Sequence, residues 1–200
     1  MSLAKQLWTA TADSSITSGS GSTQVAIRDT LMLDALQKTP MTPLFPPDDS
    51  EALYFARSDV LNLLGTFSRH AFHLDDKSWP SVEHYYQAMK FDDPAYQEKI
   101  RVTDHPKKAR KLGRTRFKKR RDDWKTIKTT VMTRGVYIKC RTHPEVAEAL
   151  LATHEKFLVE NSNYDYFWGC GRDRRGKNTY GVVLMNVREK LRQEGHSAAE

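Results

Sequence analysis

Between residues 51 and 194 the apolar positions fall into short runs whose spacing keeps changing, and each change marks the border of an element. Residues 52–57, ALYFAR, and 156–160, KFLVE, have strand character. Asp75 and Asp76 stand as turn residues between AFHL and KSW, which predicts a hairpin leading into a central helix over residues 80–91. At 100° per residue, Val82, Tyr85, Tyr86 and Met89 of that helix fall on one core-facing stripe, and Glu83, Gln87 and Lys90 form a second stripe along its border. Pro80 suits its first turn, where a missing N–H costs nothing.

Asp92, Asp93 and Pro94 end this helix and start another over 94–102. A further one runs from Pro106 through Ala109 and Leu112 to Gly113, read as its C-cap. Trp124, Ile127, Val131, Tyr137 and Ile138 are spaced for a long amphipathic helix ending near Cys140. Thr142-His143-Pro144-Glu145 then has the form of a capping box, opening a helix to about Thr153. Residues 161–178 are polar and glycine-bearing, hence a loop, and a last helix starting near Asn178 buries Val183, Leu184, Val187 and Leu191. The predicted fold is α+β: one compact, mainly α-helical domain over residues 51–194 with a few short strands, and a tail at 195–200.

Residues 1–50 contain SSITSGSGST and TPMTPLFPPDD, so a flexible Ser/Gly- and Pro-rich arm is expected there. The chain has 200 residues, 38% of them hydrophobic and 28% charged, which suits one domain with a real core. No run reaches membrane-span length and the N-terminus lacks a signal-peptide layout, so the expectation is a cytoplasmic protein with no membrane partner. Cys140 and Cys170 are too few for a disulfide framework and are expected to be free thiols. His70 and His73 lack a third ligand, so neither a metal nor a cofactor is expected.

Charge changes this picture at one place. The net charge is +7, but residues 107–121, opened by Lys107 and closed by Arg121, hold ten Lys or Arg and no acid, which leaves the rest of the chain at −3. Such a run is either a solvated surface or a contact for nucleic acid. Its single aromatic, Phe117, does not make the stacking platform of a single-strand binder.

Three further features are chemical candidates. Glu83 lies in a first helical turn, where the macrodipole favours a carboxylate, and reads either as a paired surface acid or as the rim of an aromatic-floored pocket with Gln87 and Lys90 deeper along the same wall. Gly176-Lys177-Asn178 opens a helix inside DYFWGCGRDRRGKNTYG, an arrangement that can bring N–H groups and a Lys to a phosphate or can simply be turn glycines with an Asn N-cap. It matches neither the phosphate-loop nor the dinucleotide fingerprint. Trp124, in a helix opening, reads as core, whereas Trp168, beside Gly169, is placed to stack on a flat heterocycle.

WPSVEHYYQAMKF, the segment 107–124 with Ala109 and Gly113, DYFWGCG, and GKNTYGVVLM together resemble the NADAR superfamily, most closely its YbiA-like branch. The resemblance spans about residues 53–191. It implies a compact, mainly helical fold that hydrolyses N-glycosidic bonds without a metal, acting on ribosylamines and ADP-ribosyl conjugates. In the YbiA-like branch it implies phosphorylated pyrimidine intermediates of riboflavin synthesis, in related members ADP-ribosylated guanine, and such proteins also carry a swarming-motility label. It places the catalytic acid on Glu83 and substrate-binding positions on Trp124, Asp165, Trp168, Gly176, Lys177 and Asn178. Lys90, two turns along the helix from Glu83, is assigned a supporting role by its position on the same stripe. Where the family has Phe-Ser-Asn-Phe this chain has Phe67-Ser68-Arg69-His70, Tyr180 replaces a usual Leu, and Cys170 stands where small or acidic residues are common. A nucleotide- or ADP-ribose-binding module without chemistry is the alternative reading, and a nucleic-acid binder through residues 107–121 a third.

Overall fold

The computed structural model describes residues 51–197; the expected arm at 1–50 lies outside them, as do the last residues of the expected tail. Strand β1 (Ala52–Phe55) lies parallel to β4 (Phe157–Glu160), with Phe55 opposite Glu160. Strands β2 (Phe72–Leu74) and β3 (Lys77–Trp79) form an antiparallel hairpin. Its two-residue turn is made by Asp75 and Asp76, at φ 53° and 57°, the left-handed pair that a tight hairpin needs and that Asp tolerates.

Among the described residues six helices pack with these strands: α1 (Val82–Ala88), α2 (Pro94–Arg101), α3 (Pro106–Gly113), α4 (Trp124–Thr142), α5 (Pro144–Leu151) and α6 (Thr179–Ser197). The fold is thus the expected mainly helical α+β arrangement. Helix α1 is central, packed by α2, α3, α4 and β3, and every one of its seven residues is buried. It is shorter than its apolar pattern predicts. Pro80 precedes it, because Ser81 takes the N-cap and accepts from the His84 N–H with its side chain. Burial on all sides also turns the predicted border stripe inward: Glu83 has no exposed surface and Gln87 only 4%.

The core runs from Trp79 and Tyr85 through Met132, Leu150 and Leu158 to Leu184. Each such side chain contributes about 1.5–3 kcal/mol by leaving water. Tyr85 meets Trp79 edge-on at 5.3 Å and presses on Gly135 of α4, where a Cβ would stand 3.0 Å from its ring.

Two predicted caps are corrected. Gly113 is the last residue of α3 rather than its cap, and Arg114 caps it at an ordinary φ of −97°. Glycine is needed at 113 because a Cβ would overlap the Gln87 side chain, so its absence lets α3 approach α1 closely. The capping box does not form, since α4 continues through Thr142, whose hydroxyl donates to the Ile138 carbonyl at 2.8 Å. Helix α5 starts instead at Pro144 without a side-chain cap, and Glu145 lies 3.5 Å from both His70 and His143. Cys140 and Cys170 are buried free thiols. No helix among the described residues is long and apolar enough to cross a membrane.

Candidate active site

The first turn of α1 carries Glu83, and one turn later Gln87 donates from Nε2 to Glu83 Oε1 at 2.7 Å. Arg110 of α3 grips the same carboxylate with two N–H groups, Nε to Oε1 at 2.7 Å and Nη2 to Oε2 at 3.1 Å. Thr66, in the segment before the hairpin, donates its hydroxyl to Oε2 at 2.7 Å and accepts the Glu83 backbone N–H with its carbonyl at 3.0 Å. Arg57, just beyond β1, brings Nη1 to 4.0 Å from Oε2. Burial alone would push this carboxyl up. The charge and hydrogen bond of Arg110, the charge of Arg57 and the Thr66 hydroxyl outweigh it and hold the pKa at about 2.

Arg57 extends the charged row. Its Nη2 donates to Asp165 Oδ2 at 2.6 Å, and its backbone N–H donates to Glu160 Oε1 at 3.3 Å. Asp165 in turn accepts with Oδ1 from the backbone N–H groups of Phe167 and Trp168. Glu160, at the end of β4, is pushed above the ordinary carboxylate range by burial.

Two cavities adjoin this row. The smaller, about 190 Å³, is bordered by Arg57, Glu160, Tyr164 and Asp165. The larger, about 530 Å³, is bordered by Phe67, Lys107 and Lys111. Both share Ser58, Arg110 and Arg114, so Arg110 stands at their junction with its guanidinium 4.2 Å above the Phe67 ring.

Of the sequence candidates, Glu83 and Asp165 are brought together through Arg57. Lys90 is buried on the Glu83 side of the row: its Nζ donates to the Gly113 carbonyl at 3.4 Å and lies 5.2 Å above the Tyr86 ring. Burial lowers its pKa to about 8. Trp124 and Trp168 pack on Tyr86 at 5.1 and 5.5 Å, and the Trp168 indole N–H donates to the Tyr86 hydroxyl at 3.3 Å. At 7% and 6% exposure they form an aromatic wall behind the charged row, and neither borders the two cavities.

The expected anion cradle at Gly176, Lys177 and Asn178 is corrected, because its N–H groups are already spent. They donate to the carbonyls of Cys170, Tyr166 and Gly169 in turn. Gly176 is there for close backbone packing, since a Cβ would overlap Gly169 and Cys170. Asn178, at φ 48° and without exposed surface, donates from Nδ2 to the Leu158 carbonyl at 2.8 Å and accepts the Glu160 N–H with Oδ1 at 2.9 Å. Its amide therefore acts as a further strand beside β4, while Lys177 is exposed.

Sequence reasoning missed Arg57, Thr66, Arg110 and Glu160. Arg110 was concealed among nine other cations of the basic run, and Arg57 and Glu160 are single charges at the ends of apolar strands.

The NADAR domain family model matches residues 48–192. The chain belongs to the NADAR family. An N-glycosidase from Nostoc punctiforme is 44% identical over 129 residues, covering 63% of this NADAR chain and 83% of that protein. N-glycosidase YbiA from Escherichia coli is 38% identical over 138 residues, covering 69% and 86%. The NMR structure of E. coli YbiA superposes with a TM-score of 0.66, covering 72% of this chain and 86% of the other. The chloroplastic riboflavin biosynthesis protein PYRR of Zea mays is 33% identical over 194 residues, covering 82% of this chain and 31% of that protein.

Proposed function

We propose that this NADAR protein is an N-glycosidase that cleaves the bond between C1′ of a ribosyl group and a nitrogen, with Glu83 stabilising the transition state. Breaking that bond builds positive charge on the ribose ring, so the site must supply negative charge that needs no rearrangement as the reaction proceeds. The observation that carries the reading is a carboxylate with no exposed surface, held ionised with a pKa of about 2 behind Arg110, the residue that borders both cavities and grips it. Such a group is a feeble base at neutral pH, which favours electrostatic stabilisation of the oxocarbenium over deprotonation of the attacking water. Arg110 controls access to it: its guanidinium must turn toward the cavities before a sugar can approach the carboxylate.

The leaving base fits the smaller cavity, where Glu160 and Asp165 can accept from amino or ring N–H groups and Tyr164, 92% exposed, stands at the mouth. The names of the relatives, N-glycosidases and a riboflavin biosynthesis protein, support phosphoribosylamino-pyrimidines as substrates. ADP-ribosylated guanine presents the same bond.

The test is chromatographic detection of free base after incubation with both substrates. Release by the wild-type chain and a loss of about 10²–10³-fold in Glu83→Gln is expected. Equal release by both proteins would remove Glu83 from the chemistry. Binding of ligand with no product from the wild-type chain would leave a nucleotide-binding module.

A further inference from the structure

The basic run divides into two sets once its partners are known. Lys108, Lys118, Lys119 and Arg121 are paired with Asp104, Asp93, Asp122 and Asp123 at 2.8, 2.9, 3.0 and 2.5 Å, and Arg110 is held by Glu83. The other five cations of the run have no ion pair among the described residues: Arg116, Arg120 and the three on the side of α3, Lys107, Lys111 and Arg114. These three follow the i, i+4, i+7 spacing that puts side chains on one side of α3, and they border the larger cavity together with Arg110, Ser58 and Phe67. Four cations thus face one concave space of about 530 Å³ with no carboxylate in its wall.

We propose that this cavity is the subsite for a phosphate on C5′ of the ribosyl substrate, a proposal that rests on the N-glycosidase reading above. A ribose 5′-phosphate carries its anion and its anomeric carbon at opposite ends of one sugar. Phosphate among Lys107, Lys111 and Arg114 therefore directs C1′ toward Arg110 and Glu83, and the base beyond it toward Glu160 and Asp165. The unequal charge of the two cavities favours this orientation, since the larger is bordered by four cations and no carboxylate, whereas Glu160 and Asp165 offset Arg57, Arg110 and Arg114 in the smaller. The phosphate also gives Arg110, which borders both spaces, a second anion to turn to, and that turn opens the approach to Glu83. The backbone N–H groups of Gly176-Lys177-Asn178 are internally bonded and Lys177 borders neither cavity, so the cations that line a concave space are those of the α3 segment. The same 5′-phosphate occurs as a monoester in a phosphoribosylamine and as half of the diphosphate in ADP-ribose.

The experiment titrates ribose, ribose 5-phosphate and ADP-ribose calorimetrically into the full chain. The variants are Lys107→Ala/Lys111→Ala and a control, Lys108→Ala/Lys119→Ala, which removes the same charge from paired lysines. All four side chains are exposed, so both variants should fold as the wild type does. The expected result is at least tenfold weaker ribose 5-phosphate binding in the first variant only, with ribose bound far more weakly than its phosphate by the wild type. Tighter binding of ADP-ribose than of ribose 5-phosphate would indicate the diphosphate as the natural form, and the reverse order the monoester. No binding of either phosphate, or equal weakening in both variants, would overturn the subsite. So would a single-stranded DNA probe that binds more tightly than the sugar phosphates and is weakened alike by both variants, which would make the run a nucleic-acid surface. Base release with unchanged KM in the first variant removes the subsite and keeps the enzyme. Lost phosphate affinity in a chain that never releases base does the opposite.

Discussion

Glu83→Gln should cost stability as well as activity, and the size of the cost can be worked from the site. The amide keeps the volume but removes the charge that faces Arg110 and Arg57, leaving two guanidinium groups without their shared carboxylate. The Glu83 pKa falls from 4.5 to about 2 on folding. At 1.36 kcal/mol per pKa unit, that shift makes ionised Glu83 worth about 3 kcal/mol at pH 7. A buried pair deprived of one partner typically loses 3–5 kcal/mol, roughly the same figure. Because the folded pKa is depressed, this stability is fully present above pH 4.5 and is lost as pH falls toward 2. Urea denaturation of both proteins at pH 7, 4.5 and 3.5 is the assay. The gap between them should be about 3 kcal/mol at pH 7 and about half that at pH 3.5. A gap that is absent at pH 7, or the same size at every pH, would mean that the ionised carboxylate is not what holds Arg110 and Arg57, and the electrostatic account of the site would fail with it.

Two other perturbations test the surroundings of the site. Gly113→Ala places a Cβ into Gln87, whose amide is bonded to Glu83, so it should lower the unfolding free energy by about 1–3 kcal/mol, measured in urea; an unchanged midpoint would show that α3 and α1 have room to spare. Lys139 is buried with its ammonium on the carbonyls of Leu63 and Gly65 and the Ser68 hydroxyl, and burial lowers its pKa from 10.5 to about 8. The unfolded chain then binds more protons at Lys139 above pH 8, so this lysine and Lys90, also at about 8, raise stability between pH 8 and 9 against the smaller opposing effect of the buried thiols, and Lys139→Met should rise less steeply than the wild type. Equal slopes for the two proteins would count against a charged Lys139 in the core.

What could be read from the residue order was local. Chemically marked borders, such as Asp75-Asp76 in the hairpin turn and Asp93-Pro94 at the start of α2, fall where the pattern put them, because turn and cap geometry is decided within three or four residues. The strands, the long α4 and the several motifs of the NADAR family were legible for the same reason. Where two local signals competed, packing decided. Ser81 rather than Pro80 opens α1, and Thr142 ends α4 instead of capping α5.

The site itself belongs to the tertiary structure. Arg110 reaches Glu83 from 27 positions away, and Arg57 reaches Asp165 across 108. No periodicity encodes such meetings, because they depend on the angle and distance at which whole elements pack. For the same reason a glycine seen in sequence cannot reveal its purpose. Gly113 and Gly176 read as a cap and an anion turn, whereas in the fold each is the point where another segment comes too close for a side chain. The sequence by itself determined the elements, the family and the acid on the central helix. Only the packed chain decided that two arginines hold this acid ionised out of water, and which lysines remain free to meet a ligand.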